Sequence, residues 1–258
     1  MRATPFTPAG DQIRWSDVPA DRKHGAAPAR LYIHMLGGTG AAGFGDIAPH
    51  PLLAGPRALI VDLPGHGHSD RPADFGYTLD DHAAAVAAVL ESERLRGVDL
   101  IGHSMGGDIA IVLAARRPDL VHRLVVAEAN LDPLPPTPTG LGSQWISSLT
   151  DAEWLATGYA HLVAANRAWA PTLRLGDPFG VYRSAVGLTT GSRPTMRELL
   201  VGLPIPRTFI AGDRGEELED PEGVEAAGVR IVTIADAGHL LMDDQPDAFA
   251  GAIAKGLA

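Results

Sequence analysis

Short apolar runs alternate along this chain with longer stretches of helical periodicity. Residues 29–36 (ARLYIHML), 56–64 (PRALIVDLP), 97–104 (GVDLIGHS), 123–128 (RLVVAE), 206–213 (PRTFIAGD) and 229–239 (VRIVTIADAGH) are predicted strands. Their apolar residues run together, as in strands buried on both faces. Residues 78–95 read as an alanine-rich helix with Thr78 or Asp80 as its cap, 105–118 as a helix stopped by Pro118, and 246–258 as a closing helix. Strands and helices in this alternation predict an α/β fold, a mostly parallel central sheet with helices on both faces.

Residues 131–203 break the rhythm. The segment opens with prolines in LDPLPPTPTG, which forbid regular structure, and continues with helical pieces such as LTDAEWLATGYAHLVAANRAW. It also carries Trp145, Trp154, Tyr159, Trp169, Phe179 and Tyr182, six of the chain's 14 aromatic residues. The expected organisation is a core domain, 1–130 and 204–258, with 131–203 as a helical cap insertion over the sheet.

Composition narrows the classes. With 258 residues, 45% of them apolar and 20% charged, the chain is long and apolar enough for one substantial core. A formal net charge of −10 argues against nucleic acid or an anionic membrane surface as partner. The absence of cysteine excludes disulfides, a thiolate nucleophile and cysteine metal sites. No run approaches the roughly 18 apolar residues of a membrane span, and the first residues lack the apolar core of a secretory signal. The expectation is a soluble cytoplasmic protein, monomer or homodimer.

The sharpest chemical signal is Gly102-His103-Ser104-Met105-Gly106, with an apolar strand before it and a helix after it. A nucleophile on so tight a turn occupies strained backbone, so its neighbours must lack bulk; glycines supply the clearance, and the helix start favours negative charge. Serine needs a base. Of ten histidines, His239 follows the last predicted strand, which places it at the carboxyl edge of the sheet with Ser104. His103 reads as a packing residue, His66 and His68 as polar turn residues, and His24, His50, His82, His122 and His161 have no chemical context. Two amides are candidate oxyanion donors, that of Met105 after the nucleophile and that of Leu36 in the HMLGGTG loop. Asp108, early in the helix, suits the helix dipole and is given no catalytic role.

Taken together, HMLGGTG, DLPGHGHSD, GHSMGG and AGH resemble the motifs of the alpha/beta-hydrolase fold superfamily, over nearly the whole chain outside the insertion. The resemblance implies a Ser-acid-His triad and a serine esterase or lactonase activity. Met35 departs from the family, which commonly has glycine after the histidine. The acid departs too. Relatives usually carry it three residues after a glycine in the loop that here reads GDRGEELED, at position 215, where this chain has Gly215; Asp213 and Glu216 flank it. A minority, including haloalkane dehalogenases and some lactone-cleaving relatives, place it after the strand that follows the nucleophile helix, where this chain has Glu128.

A carboxylate at the end of a central strand, beneath an insertion, is costly unless paired, and holding a histidine is such a pairing. Glu128 is therefore the expected acid, with Asp213 and then Glu216 as alternatives, and Asn130 as a local brace. The resulting expectation is hydrolysis of an ester, lactone or related acyl bond on a small-molecule substrate, apolar or aromatic if the insertion's aromatic residues reach it, with no cofactor and no metal. Carbon–carbon bond hydrolase, thioesterase, lyase or cofactor-free haloperoxidase activity, or a slow-turnover ligand receptor, are the alternatives on the same fold.

Overall fold

The computed structural model describes residues 1–258. Eight strands form one sheet: β1 (Arg2–Pro5), β2 (Gln12–Val18), β3 (Arg30–Ile33), β4 (Ala58–Asp62), β5 (Val98–His103), β6 (Val121–Ala127), β7 (Arg207–Gly212) and β8 (Val229–Ile234). Their order is β1-β2-β4-β3-β5-β6-β7-β8. From β4 to β8 every pairing is parallel, while β1 and β2 form an antiparallel hairpin against the edge of β4.

Parallel strands joined by helices must bury both faces, and the side chains divide accordingly. Leu31 and Ile33 of β3, Leu100 of β5, and Leu124 and Val126 of β6 enter one core of 44 buried residues. Their neighbours Tyr32, Ile101, Val125 and Ala127 enter a second core of 19 on the opposite face. The larger core is covered by α2 (Leu79–Ser92) and α3 (Met105–Arg116), the smaller by the short α1 (Gly40–Phe44) and the closing helix Pro246–Gly256. Thr78 caps α2 in a reciprocal capping box with Asp81.

Between β6 and β7 the chain leaves the sheet and builds only helices, the longest being Pro178–Thr190. Thr150, Asp177 and Thr195 cap three of them by accepting from backbone amides three residues on. The insertion extends the larger core, to which it adds Ile146, Trp154, Leu162, Leu173, Val181 and Leu188. Trp154 is buried, donates from Nε1 to the Pro178 carbonyl (2.7 Å), and packs its ring against Trp145, Tyr159 and Tyr182. Most of the aromatic residues that distinguish this stretch thus hold it together.

Strand register positions the chemistry. His103 is opposite Ala127 across β5 and β6, and Ala127 is opposite Ile210 across β6 and β7. The residues that follow the first two, Ser104 and Glu128, therefore leave neighbouring strands at the same height on the carboxyl rim.

Candidate active site

Ser104 sits on the turn from β5 into α3 with φ 53° and ψ −128°. A non-glycine residue holds such backbone only where its surroundings enforce it. Ser104 donates its amide to the Ala127 carbonyl (2.8 Å) and accepts at its own carbonyl from Gly107 (2.7 Å). A Cβ on Gly102 would stand 2.7 Å from the Gly107 nitrogen, and one on Gly106 would press into the Ile33 carbonyl. The turn exists because both residues lack side chains. Met105 opens α3, so its amide belongs to the first turn, where no intrahelical acceptor exists.

Glu128 repeats the device one strand along. Its φ is 51°, its amide donates to the Ile210 carbonyl (2.9 Å), and its residue is only 6% exposed. The carboxylate is held from two sides. Oε1 accepts the Gly212 amide at 2.7 Å, and Oε2 lies 3.3 Å from Nδ1 of His239. A hydrogen bond from Nδ1 leaves Nε2 of the imidazole as the nitrogen available to a hydroxyl.

His239 lies in the loop after β8, which ends at Ile234, short of the predicted extent. This loop is braced by its neighbours. The His239 carbonyl accepts from Nε2 of His103 (2.7 Å), the Ala237 carbonyl from the Arg214 amide (2.9 Å), and Asp244 takes the Gly238 amide (2.7 Å). His103 is thus more than packing. Burial drives its pKa down to about 3, so it is a neutral donor fixed on the loop of the second histidine. Asp213 is exposed and accepts the Ala237 amide at 3.3 Å, and Glu216 is also exposed. His239 pairs with neither.

Ser104 and His239 line one cavity of about 420 Å³, with Met35, Leu36 and, from the insertion, Trp169 and Leu188. Leu36 is buried, and its carbonyl accepts from Trp169 Nε1 (3.1 Å), so the insertion holds the Leu36–Gly37 peptide directly. Of the six aromatic residues of the insertion, Trp169 alone lines this cavity.

Two other residues make contacts that the sequence did not show. His66 lies in the turn, as read, but is fully buried there; it donates from Nδ1 to the Pro64 carbonyl (3.0 Å), and burial lowers its pKa to about 3. Asp108 does more than complement the helix dipole. It is wholly buried, and its two oxygens accept the backbone and side-chain nitrogens of Asn130, both at 2.9 Å. The brace expected of Asn130 is therefore made to the nucleophile helix. Only the positions of Asp108 and Asn130, 22 residues apart, could have hinted at this, and sequence carries no local sign of such a pair.

A family profile described as alpha/beta hydrolase fold matches residues 31–168, just over half of the chain, and the chain belongs to that hydrolase family. It is 43% identical over 99 residues to a 2-hydroxymuconate semialdehyde hydrolase of Pseudomonas sp. strain CF600, covering 37% of this chain and 34% of that protein. It is 36% identical over 123 residues to an esterase of Mycobacterium tuberculosis, covering 48% and 40%. The chain thus aligns with well under half the length of either relative. The crystal structure of a hydrolase from Pseudomonas aeruginosa PA01 superposes with a TM-score of 0.77 at 25% identity, over 99% of this chain and 97% of that one. No helix is long and apolar enough to cross a membrane.

Proposed function

We propose that this chain is a serine hydrolase that cleaves an ester, lactone or similar acyl bond of a small-molecule substrate, through Ser104, His239 and Glu128. In this reading His239 Nε2 takes the Ser104 proton as Oγ attacks the carbonyl carbon. Glu128 holds the ring in the tautomer that leaves Nε2 free and stabilises the imidazolium that forms. Amides of Met105 and Leu36 receive the oxyanion. Collapse of the tetrahedral intermediate expels the alcohol, which takes the proton from His239. Water, deprotonated by the same nitrogen, then attacks the acyl-enzyme and releases the acid. Residues 131–203 act as the cap, closing the cavity and, through Trp169, steadying the oxyanion loop.

The observation that carries this reading is the buried Glu128 carboxylate, 3.3 Å from His239 Nδ1, at the rim where Ser104 stands. The test is labelling by a fluorophosphonate together with turnover of a short 4-nitrophenyl ester. Both are expected in the natural chain and lost in Ser104→Ala. If neither is found in the natural chain, the reading is wrong.

A second reading, hydrolysis of a carbon–carbon bond, is favoured by the semialdehyde hydrolase likeness over 99 residues. It predicts turnover of 2-hydroxymuconate semialdehyde in preference to the ester.

A further inference from the structure

The cavity around Ser104 and His239 is unevenly charged. No lysine and no arginine lines it. Its neutral polar groups are Asn130, Ser143 and Asn166, and its one carboxylate is Glu216. From Glu216 the wall continues into an adjoining cleft of about 200 Å³ that also holds Glu217, Glu219 and Asp132. Asp132 pairs with Arg197 at 2.5 Å and Glu128, which also lines this cleft, faces His239, whereas Glu216, Glu217 and Glu219 form no ion pair. The field of Glu216 also reaches inward. Burial raises the pKa of Asp108 to about 8, and the charge on Glu216 adds to that rise.

Neither a triad nor an oxyanion hole requires a carboxylate at this place. We infer that Glu216 sets the charge preference of the site: acyl substrates that are neutral or carry an ammonium group are accepted, and those that carry a carboxylate of their own are turned away. This rests on the hydrolase reading above and names the substrate class of that same site. The physical reason is direct. An anionic substrate entering a partly desolvated cavity meets a like charge with no cation to offset it, whereas an ammonium finds a counter-ion. The same field assists release, because hydrolysis of a neutral ester creates a carboxylate in the cavity that Glu216 lines. The preference also bears on the carbon–carbon reading, since a muconate is a carboxylate and this cavity has no cation to receive one.

The test uses three 4-nitrophenyl esters matched in length: the butyrate, the 4-aminobutyrate and the hemisuccinate. In the natural chain kcat/KM for the hemisuccinate is expected to fall below the other two by roughly tenfold, the lower end of what charge focusing in a cleft achieves. High salt should narrow that gap, because Glu216 is an exposed charge and is screened. Glu216→Gln should narrow it several-fold, and Glu216→Arg should reverse the order. Equal values for the three esters in the natural chain, or a gap that survives both Glu216→Gln and high salt, overturns the inference and leaves the hydrolase reading standing. A second measurement separates the two. On Ser104→Ala, calorimetry compares the binding of butyltrimethylammonium and pentanoate, and tighter binding of the cation is expected. If no ester is turned over, the hydrolase reading fails, and this comparison still decides the charge preference; equal affinities, or tighter binding of pentanoate, overturn it.

Discussion

β6 and β7 lie side by side and end on the same rim, yet the two ends treat their carboxylates in opposite ways. At the end of β6, Glu128 is buried on left-handed backbone, with one oxygen on the Gly212 amide and the other facing His239. At the end of β7, Asp213 is exposed and accepts one amide of the histidine loop. Gly215 links the two ends. A Cβ there would stand 2.6 Å from both oxygens of Glu128. The space that an acid at position 215 would need is the space that Glu128 fills. With Glu128 in place, position 215 has no room for a second carboxylate.

The largest way to break this comparison is Glu128→Gln. The amide keeps the shape but loses the charge, and it presents Nδ1 with a group that does not fix the tautomer. The expected loss in kcat is about 10³- to 10⁴-fold with the fold intact, as for removal of a triad acid elsewhere. Steady-state kinetics alongside circular dichroism checks it. A loss of under tenfold would remove Glu128 from the proposed triad and reopen Asp213 and Glu216.

A sharper version moves the acid. Gly215→Asp alone adds a carboxylate against Glu128, and like charges at contact should destabilise the chain and depress turnover. Gly215 has no left-handed φ, so its backbone accepts a side chain. Glu128→Ala with Gly215→Asp therefore vacates one position and fills the other. Turnover is expected to recover by roughly tenfold over Glu128→Ala alone, a modest gain because a transplanted acid lacks the supporting hydrogen bonds that hold a site in productive geometry. No recovery in a folded double variant would show that the two strand ends are not interchangeable.

Why the buried charge at the end of β6 was legible and much of its support was not follows from range. The apolar run Leu124–Ala127 ends in a charge, a conflict within five residues that sequence displays openly. The glycines around Ser104 are local in the same way. The Gly212 amide on Glu128 is 84 residues away, and the Trp169 bond to Leu36 spans 133, so each exists only once the sheet has formed and the insertion has folded back on it. The β1–β2 hairpin escaped for another reason. It is an edge element that buries little beyond Ile13 and Trp15, so it lacks the apolar run that marks the central strands. The burial of His66 was not legible because nothing within its turn shows which neighbours close over it.

Asp108 offers a test through stability. It anchors Asn130, two residues beyond Glu128, and so fixes the β6 end from behind. Burial raises its pKa to about 8, so the folded chain prefers the protonated form. The sign follows. Below the ordinary aspartate value both states are protonated and nothing is lost; as pH rises toward 8 the unfolded chain releases this proton while the folded one retains it, and stability falls. Asp108→Asn removes that dependence. Urea unfolding of the natural chain and the variant should diverge from pH 5 to pH 8 in the variant's favour, by about 1–3 kcal/mol. A difference that stays constant with pH would show that Asp108 is ionised in the fold throughout.

Asp213→Asn is the smallest effect and the most discriminating control. Its acceptor oxygen survives in the amide, so the Ala237 contact at 3.3 Å persists and only a solvated charge is lost. That charge lies outside the His239–Glu128 pair, and surface charges of this kind contribute little. Turnover should change by less than about threefold, with unfolding within about 0.5 kcal/mol of the natural chain. A large fall in kcat with unchanged stability would mean that the histidine turns toward β7 during the reaction, and that the pairing with Glu128 describes only the resting state.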